Sequence, residues 1–428
     1  MPSIAVAGMW HLGSVTAACL ASVGHEVVGI DEDPALIGGL ARGIPPVSEP
    51  GLAELIAREM GAGRLRFSTR LDESAKSDLV WVAYDTPLDD NDLADVEFVH
   101  ERALRFLEAM KTGAILVVSS QMPVGSVARL EREFGALAAG RHIGFACAPE
   151  NLRLGKAIEV FLTPDRVVLG IRDSATQAIL RAVYTPFTDR IEWMTVESAE
   201  MTKHAINSFL AASICFANEI AALCESTGAD ALEVERGMKT DLRIGHGAYL
   251  HAGPAIAGGT LARDIAFLRS LGGRSAATLP LIEGVHSSNE HHKLWLQRRM
   301  SDVLGTIAGR TIAILGLTYK PGTDTLRRSS AVEVARWLRS RDAFVQAFDP
   351  LIHELPPDLE SVMSLCESIH DALHGSDALV VMTPWPEFQR LDPARAPVVV
   401  FDAGRFLHQV FRSRPDIRYF STGSANCH

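Results

Sequence analysis

Residues 3–31 constrain the fold more than any other part of the chain. Residues 3–8 (SIAVAG) form a short apolar run that reads as a buried strand, turning at Gly8. Residues 12–22 (LGSVTAACLAS) follow with the small-residue pattern of a helix, and residues 25–30 (HEVVGI) make a second strand ending on Asp31. Strand, glycine turn, helix, strand and terminal acid form a βαβ unit of roughly the 30 residues that dinucleotide binding requires. Asp31 lies about 20 residues past Gly8, the spacing of an acid that takes the ribose hydroxyls of NAD. Its charge also repels the 2′-phosphate that distinguishes NADP.

The phosphate-binding fingerprint G-x-G-x-x-G runs here as Gly8-Met9-Trp10-His11-Leu12-Gly13. Its middle glycine normally lets the backbone approach the pyrophosphate, and an indole is large enough to fill that space. Three outcomes are open to Trp10. It can turn aside and stack on the cofactor or a neighbouring loop, shift the pyrophosphate without abolishing binding, or block the site. Gly8, Trp10, His11, Leu12, Gly13 and Asp31 are therefore the candidate cofactor contacts of this segment.

Strands are expected at residues 78–83, 114–119, 142–147 and 166–170, alternating with helices. That order predicts an α/β fold with a doubly wound, Rossmann-like parallel sheet covered on both faces. Ligand-bearing turns then fall at the strand C-termini, where Tyr84-Asp85-Thr86-Pro87 and Ser119-Ser120 stand. Further along, Met201, Ala205, Phe209, Ala212, Phe216 and Ile220 recur at intervals of three and four, predicting one long helix over residues 197–227. A second series of strands, at 311–317, 344–348, 378–382 and 398–401, predicts a smaller doubly wound domain.

At 428 residues the chain exceeds one ordinary core, and 47% hydrophobic with 22% charged residues is the composition of a soluble globular protein. A net charge of −11 excludes a nucleic-acid partner, because no Lys/Arg cluster is present to neutralise a run of phosphates. The N-terminus lacks the basic and apolar regions of a signal peptide, and no apolar run approaches the ~18 residues of a membrane helix. Six cysteines without CxxC spacing are expected to be reduced: five buried in apolar patterns, Cys427 in the tail. A cytoplasmic protein without membrane contact follows. His291-His292 beside Glu290 lack zinc-helix spacing and read as a solvated helix face, so no metal is expected.

Several longer segments resemble one family, the nucleotide-sugar 6-dehydrogenases that act on UDP-glucose and GDP-mannose. Residues 199–219 contain EMTKHAINSFLAASICFANE, similar to the family's E-M-x-K-x-x-x-N-x-F-L-A-x-x-x-x-F-x-N-E. Residues 253–264 (GPAIAGGTLARD) are similar to G-P-G-F-G-G-S-C-F-P-K-D, with Thr260 where the family carries its cysteine. Ala255, Ala257 and Ala262 replace two glycines and a proline there. Residues 149–155 (PENLRLG) resemble P-E-F-L-R-E-G, keeping Glu150 but placing Leu154 at the second glutamate. Residues 243–245 (RIG) and 315–330 (LGLTYKPGTDTLRRSS) also have family counterparts, with one extra residue between Arg243 and Gly253.

The resemblance implies roles residue by residue. Lys203 stabilises developing charge on the C6 oxygen, Asn207 helps to fix it, and Asp264 acts with the lysine and a bound water on the substrate hydroxyl. Glu150 and Leu152 belong to the segment that holds the sugar; Gly258 lets the backbone pass close to it. Arg243 and Tyr249 reach the nucleotide sugar, the former across a subunit boundary, and Lys320 reaches it from the last domain. Thr86, Ser120 and Arg327 contact the cofactor. Domains are expected at 1–195 (NAD binding), 196–300 (helical, dimerising) and 301–428 (nucleotide-sugar binding), in a homodimer.

Within the family two hydrides are removed, the second through a thiohemiacetal on cysteine. A threonine hydroxyl stays protonated at neutral pH without an adjacent base, and none is evident near Thr260. The residues of the first oxidation are kept; the cysteine and second glutamate of the later step are not. The expected activity is NAD-dependent oxidation of a UDP-hexose at C6, ending at the aldehyde or completing the acid without cysteine. The alternative is a catalytically silent nucleotide-sugar-binding homologue or partner subunit.

Overall fold

The computed structural model describes residues 1–87, 94–138, 140–150, 152–257, 259–275 and 277–424. It divides into two compact units, Met1–Ile206 and Asn207–His428. The first is built on an eight-stranded sheet of β1 (Ser3–Ala7), β2 (Glu26–Ile30), β3 (Leu65–Ser68), β4 (Leu79–Val82), β5 (Ile115–Val118), β6 (Gly144–Cys147), β7 (Val167–Ile171) and β8 (Ile191–Thr195). Their order is β3-β2-β1-β4-β5-β6-β7-β8, so the direction of winding reverses between β1 and β4. Period-two alternation fills a core on each face. Ile4 and Val6 point into one and Ala5 and Ala7 into the other, as do Leu79 and Trp81 against Val80 and Val82.

One pairing departs from the expected parallel sheet: β7 runs antiparallel to β6. The physical reason is the connection between them, which carries only the short helix Ala157–Leu162 and begins and ends at the same edge. A parallel return would need a crossover spanning the sheet. Residues 149–155 are thereby kept at the strand C-termini, where ligands bind.

The turn after β1 is tightly determined. Gly8 has φ +89°, and a Cβ there would lie 2.6 Å from the Tyr84 ring. A Cβ on Gly13, in helix α1 (His11–Ser22), would sit 1.7 Å from the Gly8 carbonyl oxygen. Close packing of α1 on the turn therefore requires both glycines.

The second unit carries a parallel sheet in the order β11-β10-β9-β12-β13-β14. Its strands are β9 (Thr311–Leu315), β10 (Phe344–Phe348), β11 (Ser364–Leu365), β12 (Ala378–Val381), β13 (Val399–Asp402) and β14 (Arg418–Phe420). Ile312 and Ile314 enter one core, Ala313 and Leu315 the other. The turn of the first unit is built again: Gly316 has φ +87°, and the Leu317 N–H donates to Asp349 as Met9 N–H donates to Asp31.

Helix α2 (Ser126–Leu137) follows β5, and helix α3 (Val196–Thr227) contains the boundary between the units. Among the described residues α3 alone is long and apolar enough to cross a bilayer by length and composition, although no single apolar run marked it out in the sequence. Several of its buried polar residues are instead tied to protein. Glu200 accepts the N–H groups of Gly125 (2.7 Å) and Val127 (3.0 Å) at the start of α2. Burial pushes that carboxyl above its ordinary range, against the opposing pull of those two bonds. Cys19, Cys147, Cys215 and Cys224 are buried and free as expected; Cys366 is only partly buried, and Cys427 lies outside the described residues.

Gly8→Ala should cost on the order of 3 kcal/mol, from left-handed strain and overpacking against Tyr84. Urea unfolding checks this against Gly61→Ala, where a Cβ meets nothing within 4 Å. Equal midpoints for the two variants would refute the packing argument.

Candidate active site

The cofactor side lies at the reversal between β1 and β4. A cleft of about 430 Å³ is lined by Gly8, Trp10, Asp31, Leu36, Tyr84 and Arg102, among others. Trp10, the N-cap of α1, is 51% exposed, and its side chain lines this cleft. Asp31 accepts the Met9 N–H at 2.8 Å and the Asp33 N–H at 3.1 Å, which fixes the carboxylate at the cleft. Arg102 stacks 3.6 Å over the Phe98 ring and pairs with Glu32 at 3.4 Å, and all three line the same cleft. The turn, the acid and the free N-terminal amides of α1 fit an NAD adenosine diphosphate half.

Two expected contacts take other roles. Leu12 packs its side chain into the core, so only its backbone remains for a ligand. His11 is turned to Glu49, with Nε2 to Oε2 at 2.9 Å. Glu49 is buried and also accepts the N–H groups of Gly155 and Ala157, both at 2.8 Å. It therefore braces the cofactor turn against the segment that carries Glu150. Nothing in the fingerprint pointed to Glu49; its signal would have been an acid in an otherwise polar, proline-rich stretch.

On the same unit Lys203 Nζ donates to the Glu150 backbone carbonyl at 2.6 Å, which brings the lysine to the PENLRLG segment. Leu152 packs its side chain against the first core, and Leu154 is half-buried. Thr86 is buried, its hydroxyl donating to the Gln121 carbonyl at 2.7 Å. Among the described residues the neighbouring Ser120 hydroxyl, which is buried, has no partner.

In the second unit the Asn207 amide donates to Asp264, a carboxylate with no exposed surface. Asp264 lies in helix α5 (Gly259–Ser275), numbered after helix α4 (Ala231–Lys239). Helix α6 (Pro280–Lys293) holds the glycine-rich segment that leads into α5. The Gly253 N–H donates to Asn218 at 2.9 Å, and the Gly253 carbonyl accepts from His292 Nε2 at 2.8 Å. Asn289 takes the Ile256 N–H at 2.8 Å and returns an N–H to its carbonyl at 3.3 Å. His292, expected on a solvated face, is buried instead. The helical period puts it on the inner face of α6, one residue past exposed His291.

Thr260 stands exposed in the first turn of α5, and among the described residues no side chain hydrogen-bonds its hydroxyl. No described cysteine replaces the missing nucleophile: burial pushes the thiols of Cys19, Cys147, Cys215, Cys224 and Cys366 up, away from the thiolate. Gly258 lies outside the described residues. Arg243 is exposed and pairs with Asp241 at 2.7 Å; Tyr249 is 60% exposed; Lys320 Nζ lies 5.3 Å over its neighbour Tyr319; Arg327 is exposed. The structure does not gather these four around one pocket. A largely apolar cavity of about 210 Å³ does open beside Pro254 and Ala255, walled by Trp295, Val381, Asp402 and Phe406 at the C-terminal ends of β12 and β13.

The glycine turn with its acid at a reversal of winding is the geometry of a dinucleotide-binding domain. Three consecutive stretches match the patterns of one family: residues 2–188 its NAD binding domain, 197–291 its central domain and 313–409 its UDP binding domain. The UDP-glucose 6-dehydrogenase YwqF of Bacillus subtilis (strain 168) is 35% identical over 397 residues, covering 91% of this chain and 89% of that one. The UDP-glucose 6-dehydrogenase of Rhizobium meliloti (strain 1021) is 35% identical over 397 residues, 91% of each. Among solved structures, a UDP-glucose dehydrogenase from the archaeon Pyrobaculum islandicum is similar with a TM-score of 0.89 at 32% identity, over 96% of both chains. The chain belongs to the UDP-glucose/GDP-mannose dehydrogenase family; its cofactor is NAD and its substrate a nucleotide sugar.

His292 yields a pH test. Burial holds its imidazole below the ordinary range, partly offset by its bond to Gly253. The unfolded chain takes up a proton near pH 6.5 while the folded one resists, so stability is full above that pH and declines as pH falls through it. His292→Gln keeps a donor for Gly253 without the titration. The loss of stability between pH 8 and pH 5.5, read by urea midpoints, should be smaller in the variant by at most about 1.4 kcal/mol. An identical loss in both proteins would contradict the assignment.

Proposed function

We propose that the protein oxidises the C6 hydroxyl of a UDP-hexose with NAD and releases the aldehyde or its hydrate. The observation that carries this reading is the division between what the site keeps and what it lacks. Lys203 and Asn207 occupy one face of a continuous helix, one turn apart, with Glu150 against the first and Asp264 against the second. Bound NAD supplies the hydride acceptor. The ammonium of Lys203 stabilises negative charge on the C6 oxygen as its proton leaves, an effect commonly worth 10²–10³ in rate. Asn207 orients that oxygen, and Asp264 holds the water that takes the proton. The apolar cavity beside Pro254 suits the nucleoside base.

The second oxidation would need a nucleophile on the aldehyde carbon. Thr260 has neither the acidity of a thiol nor a base beside it, and Leu154 offers no carboxylate to activate water. One NADH per sugar balances the reaction: alcohol and NAD give aldehyde, NADH and a proton. A binding-only homologue is the second reading, favoured by the exposed, unassisted Thr260.

We further propose a homodimer through α3. Phe209 (72% exposed), Phe216 and Leu223 recur every seven residues as an uncovered apolar stripe. Phe209→Glu should shift the sedimenting species from dimer to monomer, and wild-type protein that sediments as a monomer would remove the proposal.

The catalytic reading is tested by incubating protein with NAD and UDP-sugars while counting NADH per sugar consumed. The expected result is one, with an aldehyde trapped by hydrazine and a second equivalent gained by Thr260→Cys. Two equivalents in the wild type would show a cysteine-independent second oxidation. No turnover, with UDP-sugar binding intact, would support the binding-only reading.

A further inference from the structure

We infer that the second unit holds an anion site, separate from the cavity beside Pro254, that takes a phosphate-bearing small molecule. A cavity of about 440 Å³ opens between the residues leading into α4 and the end of β14. Its wall carries Arg405, His408, Arg412 and Arg414 against a single acid, Asp230. The chain as a whole has a net charge of −11, so this wall reverses the sign of the protein locally. The acid is already committed. Asp230 caps α4 through the N–H groups of Leu232 (2.8 Å) and Glu233 (3.4 Å) and accepts from Arg405 Nη1 at 2.9 Å. Arg414 is matched as well, by Asp416 and the Pro393 carbonyl. Arg412 is not: it is exposed, and among the described residues it forms no hydrogen bond or ion pair.

Arg405 supplies a second, independent signal. Its side chain is only 9% exposed. Nε donates to Ser421 at 3.0 Å and Nη1 to Asp230, but Nη2 is buried and has no partner among the described residues. A buried N–H left without an acceptor is destabilising, the more so on a charged group. The backbone beneath it is strained too. Arg405 has φ +55°, one of three non-glycine residues in the left-handed region among the described residues, a conformation that gathers at functional positions. The turn serves both sides: Ala403, Gly404 and Phe406 line the cavity beside Pro254, whereas Arg405 lines this one. Phosphate suits the wall because its oxygens accept from an arginine fork in pairs. The His408 ring packs edge-on against Tyr419, with centroids 5.9 Å apart, which offers an aromatic surface to the organic part of a ligand.

The inference does not depend on the reaction the chain catalyses. Calorimetry with inorganic pyrophosphate tests it, run with NAD and UDP saturating so that other anion sites are filled. Wild-type protein should bind one equivalent. Arg412→Ser removes an exposed, unbonded charge and should raise the Kd about 5–20-fold. Arg405→Lys keeps a charge beside Asp230 but removes the fork, and should weaken binding to a similar degree. Arg132→Ser, which takes the same charge from an exposed position on α2, should bind as the wild type does. Glucose 6-phosphate in place of pyrophosphate separates the two sources of the dianion. Tighter binding marks a phosphorylated metabolite and weaker binding a free phosphate; either supports the site. An unchanged Kd in Arg412→Ser, or equal weakening in Arg412→Ser and Arg132→Ser, would overturn the inference. So would wild-type protein that binds neither probe, or binds only when UDP is left out. If Arg405→Lys fails to fold, Arg412→Ser alone decides.

Discussion

Polar side chains along the inner faces of one apolar helix organise the site. Over its first half α3 sends Glu200 to the start of α2, Lys203 to the Glu150 carbonyl and His204 to the Met122 carbonyl. Over its second half it sends Asn207 to Asp264 and Asn218 to Gly253. Each group is buried or nearly so, and each would carry a desolvation cost if its partner were removed. A helix fixed at so many points cannot rotate or slide without breaking several bonds together. Within each unit the helix thus anchors segments that come from distant parts of the sequence.

The turn-and-acid device is used twice with different outcomes. In the second unit Asp349 is fully engaged: its carboxylate serves Leu317, Thr318, Leu351 and the Trp385 indole, and it is buried. Asp31 makes only two backbone bonds and borders an open cleft. The same βαβ geometry therefore stores an acid in one unit and presents it in the other.

Most of the scaffold was legible because hydrophobic period and glycine turns are local signals. The strands at residues 3–7, 79–82, 115–118, 311–315 and 344–348, and the long helix, fall where periodicity put them. Strands β3, β8, β11 and β14 were not picked out. Each is an edge strand paired on one side only, so its residues need not be continuously apolar, and Leu65–Ser68 carries exposed Arg66 within four residues. Burial of His292 was missed because an imidazole on a polar-looking helix becomes an anchor only when Gly253, distant in sequence, is brought beside it. Glu49 carries no motif at all, and only its hydrogen bonds in the folded chain reveal it. Trp10 was left with three outcomes because sequence says how large a side chain is but not which way it turns.

The persistence of the glycine-rich segment bears on what the chain has lost. A loop released from function has no reason to keep Asn218, Asn289 and His292 all directed at two of its residues, since each is a buried polar group that is costly unless satisfied. Here every one of them is satisfied, and the backbone between Gly253 and Ile256 is held on both its donor and acceptor sides. The alteration at Thr260 thus sits on an intact support. Binding and charge stabilisation need only a rigid, correctly directed frame, whereas attack on a carbonyl needs a particular atom with a particular acidity. On the proposed reading the chain meets the first requirement and not the second, so Thr260 changes the chemistry open to the site without dismantling its frame.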